Sequence, residues 1–215
     1  MKTVVCFGDS NTWGSDPETP GGRHPINKRY PGILQKLLGE DYLVREEGLS
    51  GRTTAFDDPI EPYRNGLKAI DYCMLTHMPV DLLVVMLGTN DLKRHHHQNA
   101  FSSSKGLEQI VLRAQNKEYG VNGVPPKILI VSPIHVAPNI EEVWTRDYID
   151  SRGRETGLEL AGYYKKTAHI NGCYFMDAAQ FASPSPRDAI HMGEESHRRL
   201  AEAITEKIKE IFFEE

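Results

Sequence analysis

Ser10 stands in Gly8-Asp9-Ser10-Asn11-Thr12-Trp13-Gly14, directly after the apolar run Val4 to Phe7. A serine hydroxyl is a poor nucleophile at neutral pH. It needs a base within hydrogen-bond reach and donors for the oxyanion that forms on attack. If a strand ends near Phe7 and a helical turn begins after Ser10, the serine's own amide faces a place where an anion can sit, and the helix end favours negative charge there. The same stretch also reads as capping, because Asp and Ser accept from the free amides of a helix start. On this stretch alone both readings stay open.

A candidate base lies near the other end of the chain. In Arg187-Asp188-Ala189-Ile190-His191-Met192 a carboxylate precedes an imidazole by three residues, just ahead of the last helical pattern. Asp188 so placed can accept from the His191 ring, fix its tautomer and support the imidazolium formed in catalysis. Taken alone, an Asp-x-x-His is more often a surface pair. Donors are available in two further turns. Asn90 of Leu87-Gly88-Thr89-Asn90-Asp91 carries a side-chain amide, with Asp91 beside it to hold the turn. Gly51 of Glu47-Gly48-Leu49-Ser50-Gly51-Arg52-Thr53 offers a backbone N–H that no side chain blocks. Each reads equally as plain turn chemistry. Ser50 is a rival nucleophile, but neither serine has Gly-x-Ser-x-Gly spacing.

Among the remaining histidines, His197 lies a turn or more into the final helical pattern and is expected to be solvated, while His135 follows a strand and can line a cleft. His95-His96-His97 invites a metal reading. Adjacent side chains diverge, however, and no carboxylate or cysteine cluster stands at ligand spacing, so a solvated loop is expected and no metal or other cofactor.

These residues must be positioned by alternating elements. Lys2 to Phe7, Asp81 to Leu87 (DLLVVML) and Lys127 to Val131 (KILIV) have the continuous apolar character of strands covered on both faces. Tyr42 to Glu46 and Cys173 to Met176 are weaker strands. Helical patterns cover Pro31 to Leu38, Tyr63 to His77, Leu107 to Glu118, Trp144 to Thr167 and Gly193 to Phe212. In the last of these Leu200, Ile204, Ile208 and Ile211 recur at helical spacing. Gly21-Gly22, Ser102-Ser103-Ser104 and Gly120 to Pro126 read as loops. Strand–helix alternation predicts a five-stranded parallel sheet between two helix layers, with ligands bound beyond the carboxyl ends of the strands. The turns at Gly8, Gly88 and Ser132 should therefore converge on one edge.

At 215 residues the chain has the length of one well-filled domain, taken here as residues 1–215. With 26% charged and 39% apolar residues and a formal charge of -5, the composition is globular and gives no reason to expect nucleic acid as partner. The short apolar run at the N-terminus falls below signal-peptide length, and no run reaches membrane-spanning length, so a cytoplasmic protein without a membrane partner is expected. Cys6, Cys73 and Cys173 are odd in number, far apart and in apolar surroundings, and read as buried thiols.

Taken together and in order, Gly8-Asp9-Ser10, the glycine of Gly48-Leu49-Ser50-Gly51, the asparagine of Gly88-Thr89-Asn90-Asp91 and Asp188-x-x-His191 resemble the four blocks of the SGNH (GDSL) hydrolases. The longer stretches GDSNTWG, EEGLSGRTT and MLGTND look most like the bacterial arylesterase and acyltransferase branch. The resemblance implies a three-layer α/β/α, flavodoxin-like sandwich, with Ser10 as nucleophile, His191 as base and acid, and Asp188 as its orienting carboxylate. It implies an oxyanion hole from the amides of Ser10 and Gly51 and the Asn90 side chain. It also implies a small-molecule ester as substrate, with hydrolysis or acyl transfer as outcome, and assembly as a homo-oligomer. Asn11 departs from the leucine of many relatives and is expected near the cleft entrance. Trp13, three residues past Ser10, and Ile190, beside His191, are expected to line the substrate pocket, although Trp13 reads equally as a staple under the first helix. The segment Pro138 to Arg152, with Trp144 and Tyr148, is expected to cover the site or build a subunit contact. Two rivals remain, a carbohydrate O-acetylesterase and a non-catalytic flavodoxin-like binding module.

Overall fold

Val4, Val5, Cys6 and Phe7 are all fully buried, because a strand sends alternate side chains to opposite faces and here both faces are covered. In the computed structural model, which describes residues 1–213, five parallel strands form one sheet: β1 (Lys2–Gly8), β2 (Tyr42–Gly48), β3 (Leu82–Met86), β4 (Lys127–Ser132) and β5 (Tyr174–Asp177). Their spatial order is β2-β1-β3-β4-β5, the flavodoxin-like order, in which the order of strand addition reverses between β1 and β3. The expected fold class is therefore the observed one.

Two apolar clusters fill the space on either side of the sheet. Val5, Phe7, Leu83, Val85, Ile128 and Ile130 pack against α3 (Gly66–His77), α4 (Ala100–Ala114) and α5 (Ser151–Ile170). Val4, Cys6, Leu82, Val84, Leu129 and Val131 pack against α2 (Tyr30–Leu38) and α6 (Glu194–Phe213). A short helix, α1 (Ser10–Trp13), leaves the end of β1 directly. Among the described residues no helix is long and apolar enough to cross a membrane. Cys6 and Cys73 are buried, Cys173 is half-buried, and burial pushes the Cys73 thiol up to about 12 and that of Cys173 up to about 11.

Several boundaries differ from the sequence expectation, and side-chain caps account for them. Asn99 accepts from the Ser102 amide at 2.8 Å, so α4 begins at Ala100 and absorbs the three serines expected in a loop. Ser103 and Ser104 are buried there, and the Ser104 hydroxyl donates to the Phe101 carbonyl. Glu118, placed on the same helix from sequence, lies in a separate single turn, Lys117–Tyr119. The helix expected from Trp144 starts only at Ser151, where Asp150 accepts from the Gly153 amide. The residues Trp144–Asp147 form a separate 3-10 turn. Asn65 caps α3 in the same way through Lys68.

The register of β1 on β2 pairs Gly8 with Gly48 at the carboxyl edge. A Cβ on Gly48 would lie 2.6 Å from the carbonyl carbon of Thr12 and from Trp13 Cα, so α1 can rest on the end of β2 only because that side chain is absent. Gly48→Ala is expected to force α1 outward and to cost about 1–3 kcal/mol of stability. That cost is read as a lower urea midpoint at unchanged slope. An unchanged midpoint would mean that α1 moves freely.

Candidate active site

The ends of β1, β2 and β3 deliver polar turns to one pocket, whereas the Ser132 turn after β4, expected to converge with them, does not line it. After β1, Asp9 takes the capping role, its Oδ1 accepting from the Asn11 amide at 3.0 Å. Ser10 is thereby the first helical residue and its hydroxyl is not spent on the cap. Its Oγ lies 2.9 Å from His191 Nε2, and His191 Nδ1 lies 2.7 Å from Asp188 Oδ2. Serine, imidazole and carboxylate form one hydrogen-bonded line. With Nδ1–H donated to Asp188, Nε2 presents its lone pair to the serine hydroxyl. That arrangement lets His191 accept the Ser10 proton as Oγ attacks an electrophile.

The turn that carries Asp188 and His191 is held without any helix or strand. Asp188 Oδ1 accepts from the amides of Ile190 at 3.0 Å and His191 at 2.9 Å, while its backbone carbonyl accepts from the Thr145 hydroxyl. Ala189 between them sits at φ +63°, a left-handed conformation that a non-glycine residue adopts only when its surroundings impose it. Burial alone would raise the Asp188 carboxyl. The His191 hydrogen bond and charge and the two amides outweigh burial and hold it below the usual carboxylate range.

Asn11 was expected near the cleft entrance, and the structure places it elsewhere. It is buried, its Nδ2 donates to the Ile190 carbonyl at 3.2 Å, and its Oδ1 accepts from the Met192 amide at 2.9 Å. It ties α1 to both sides of His191 and does not line the pocket. A leucine could make neither bond. Trp13 and Ile190 do line the pocket, as expected. The Arg23 guanidinium stacks over the Trp13 ring at 4.7 Å, and its Nε donates to the Trp13 carbonyl at 2.7 Å.

Gly51 is the third residue of a tight turn closed by the Arg52 amide on the Leu49 carbonyl at 3.0 Å, and its φ of +83° is the one a type II turn demands there. Among the described residues neither the Ser10 amide nor the Gly51 amide has a protein acceptor. Both can serve an anion beside Ser10 Oγ. Asn90 Nδ2 donates to the Arg52 carbonyl at 3.1 Å and approaches Asp9 Oδ2 at 3.5 Å. The second contact is long, so one amide hydrogen is free to turn toward an oxyanion.

Sequence reasoning missed the groups that hold this region from below. Arg52 is buried and stacks over the Phe7 ring at 4.1 Å; its Nη1 donates to the Gly8 carbonyl at 2.9 Å and to the Glu47 carbonyl. It thus joins the ends of β1 and β2 to the Gly51 turn. Asp91 does more than hold its own turn, accepting from the Thr54 amide at 2.8 Å and the Thr54 hydroxyl at 2.6 Å. Burial pushes Asp91 up to about 7 against those two bonds, and pushes Asp9 up to about 6 against the Asn11 amide and the charges of His191 and Arg52. The only sequence signal for these roles was the presence of charged residues beside glycines in short turns.

Two histidine expectations need correction. His197 is fully buried and not solvated. Its Nδ1 accepts from the Tyr30 amide at 3.3 Å, and burial beside His24 and Arg29 pushes it down to about 3. It lies on the buried side of α6, with the Tyr30 ring stacked on it and the His24 ring edge-on to it. The His95–His97 stretch is not simply a solvated loop either, because the fold brings Asp58 to it. His95 Nε2 lies 3.2 Å from Asp58 Oδ1, and the His96 ring is buried. His135 is half-buried and lies outside the pocket.

The pocket over Ser10 has a volume of about 530 Å³. Part of its lining is aromatic and apolar, from Trp13, Trp144, Tyr148 and Ile190, and part is polar, from Asp16, Ser50, Glu61 and Arg64. Trp144 and Tyr148 meet edge to face with ring centres 6.1 Å apart, so the segment between β4 and α5 contributes to the pocket wall.

Comparison with known proteins identifies the family and the fold. The model of the GDSL-like lipase/acylhydrolase family matches residues 6–199. A carbohydrate acetylesterase from Sinorhizobium meliloti superposes with a TM-score of 0.91 at 34% identity, covering 98% of this chain and 100% of that one. The inhibitor-bound aryl esterase of M. smegmatis gives 0.90 at 35% identity, covering 98% and 99%. An acetylxylan esterase of Xylanibacter ruminicola is 28% identical over 96% of this chain, which spans only 43% of that protein's length.

Two expectations follow from the polar groups beneath the pocket. An acid whose native pKa is raised contributes stability at low pH that is lost as pH rises through the native value. Asp9→Asn keeps a capping acceptor. It should gain stability relative to the parent between pH 3.8, the ordinary value, and about 6, by on the order of 2–3 kcal/mol. Urea titrations across that range would show a constant difference if Asp9 does not titrate there. Arg52→Met should slow phosphonylation of Ser10 by on the order of 10–100-fold through misplacement of the adjoining turns. An unchanged rate would remove Arg52 from the support of the site.

Proposed function

Because this chain belongs to the GDSL-like lipase/acylhydrolase family, we propose that it is a serine esterase acting on small carboxylic esters with short acyl groups and aryl or alkyl alcohols. The observation that carries the proposal is the unbroken line Ser10–His191–Asp188, at 2.9 and 2.7 Å, at the floor of a pocket with a partly aromatic lining. Ser10 Oγ attacks the ester carbonyl while His191 Nε2 takes its proton. The carbonyl oxygen becomes an oxyanion, received by the Ser10 and Gly51 amides and the Asn90 side chain. Collapse of this intermediate breaks the bond to the alcohol, which leaves with the proton from His191. The acyl-serine is then attacked by water, deprotonated by the same nitrogen, and the acid is released. Another alcohol in place of water gives acyl transfer, the outcome favoured if the aromatic lining excludes water from the second half-reaction.

A second reading, removal of acetyl groups from carbohydrate, has its own support. The polar lining of Asp16, Ser50, Glu61 and Arg64 faces the same cavity and offers donors and acceptors suited to hydroxyl groups. Two of the similar proteins are named for such substrates.

The deciding experiment is a panel of aryl acetates, propionates and butyrates against acetylated xylo-oligosaccharides, run with and without an added primary alcohol. Higher kcat/KM on the aryl esters supports the first reading, and higher values on the sugars replace it with the second. Transfer appears as a new ester at the expense of free acid. In the same assay Asn90→Ala should lower kcat by about 10²–10³-fold with little change in KM. Ser10→Ala should lose covalent labelling by a serine-directed phosphonate. Label on another residue of the parent protein would overturn the assignment of the nucleophile.

A further inference from the structure

His95 and His96 take no part in the reaction, yet the fold gathers them. They lie in the 3-10 turn Arg94–His96, with ring centres 4.4 Å apart, and both turn toward Asp58. His95 Nε2 is 3.2 Å from Asp58 Oδ1, and His96 Nε2 is 3.4 Å from Asp58 Oδ2. One ligand atom from each of the three residues falls within a sphere where all are under 4.8 Å apart. Donors bound at about 2.0–2.1 Å in a tetrahedron stand about 3.3 Å from one another, and the two nitrogen–oxygen distances, 3.2 and 3.4 Å, are close to that. The His96 side chain is 4% exposed, and its Nε2, although 3.4 Å from Asp58 Oδ2, is not aimed to form a hydrogen bond with it. A buried ring nitrogen left without a partner needs an explanation.

We propose that Asp58, His95 and His96 form a binding site for a borderline divalent cation, Zn²⁺ in the first place, at the rim of the reaction pocket. Two imidazoles and one carboxylate are a donor set that Zn²⁺ accepts, with the fourth position left to water. Charge also favours a cation. Asp58 and Glu61 share a single ammonium, Lys93, whose Nζ meets Asp58 Oδ2 at 3.0 Å and also bonds the Glu61 carboxylate. Lys93 therefore keeps Glu61 as a counter-ion when Asp58 also binds a metal. The Ile60 and Glu61 amides, at 2.9 and 3.0 Å from Asp58 Oδ1, fix the carboxylate's direction as an outer shell would. Bound there, the cation would tie the Asp58 loop to the turn after β3. Glu61, Arg64 and Lys93, on those two segments, line the pocket. The site lies outside the triad and stands whether or not the proposed esterase activity does.

A second cluster, Glu47, Cys73 and His77, competes for the same ions. It is the weaker candidate. Burial raises its thiol to about 12, and His77 Nε2 already meets Glu47 Oε1 at 2.6 Å.

Tag-free protein stripped with chelator and titrated with Co²⁺ distinguishes the two. The expected result is the visible absorption of a tetrahedral nitrogen–oxygen site saturating near one equivalent, lost on adding Zn²⁺, with a higher Tm in Zn²⁺ than in chelator. His95→Gln and His96→Gln should each weaken binding by more than about tenfold while phosphonate labelling of Ser10 stays at the parent rate, which shows that the variants are folded. Cys73→Ser should leave Co²⁺ binding unchanged. The proposal is overturned if no saturable binding appears below about 1 mM or if the histidine variants bind as the parent does. A sulfur-to-cobalt charge-transfer band lost in Cys73→Ser overturns it as well.

Discussion

The side chain of Asn11 joins the two ends of the chain, and the geometry of the site depends on that joint. Its Nδ2 reaches the carbonyl before His191 and its Oδ1 the amide after it, across 179 and 181 residues of sequence. Ser10 is the adjacent residue. The distance between serine and imidazole is therefore set by a short rigid bridge and not by the rotamer of a free histidine. Pre-organisation of this kind is what makes a weak nucleophile useful, because the base is already in place when the substrate arrives. The left-handed Ala189 and the amide bonds to Asp188 complete the bracket from the other side.

Beneath the oxyanion region lies a less intuitive feature, two fully buried carboxylates at Asp9 and Asp91. A fixed negative charge close to a developing oxyanion would oppose catalysis, since electrostatic effects are strong where water is excluded. Two devices limit this. Burial raises both acids toward neutrality, and the Arg52 guanidinium lies close enough to offset what charge remains on Asp9. Arg52 thereby links the electrostatics of the site to its shape, because its carbonyl also receives the Asn90 amide.

The pocket rim combines opposite chemistries. Aromatic lining from Trp13, Trp144 and Tyr148 shares the pocket with polar lining that ends in the Asp58, Glu61 and Lys93 network. Loops, not strands, supply both, as is usual where a common scaffold serves different substrates. The sheet holds the reacting atoms, and the loops build the rim.

Much of this was legible in the residues themselves. Apolar runs with helical patterns between them imply a parallel sheet whose polar turns converge on one edge, so Ser10, Gly51 and Asn90 stand out as candidates, as does the Asp188–His191 pair by its spacing, while their roles follow from the resemblance to the SGNH hydrolases. Local chemistry carries such information because strand ends, glycine turns and an i,i+3 pair are short-range features. Helix starts at Ala100 and Ser151 were misplaced because a capping asparagine or aspartate competes with periodicity. The position of Asn11, the burial of His197 and the meeting of Asp58 with His95 and His96 depend on contacts between segments far apart in sequence. No local pattern encodes which polar side chain will find its partner across the core. Sequence determined the chemistry available at the sheet edge; only tertiary packing decided which groups act and which hold them, because burial and long-range hydrogen bonds exist only once the chain has closed on itself.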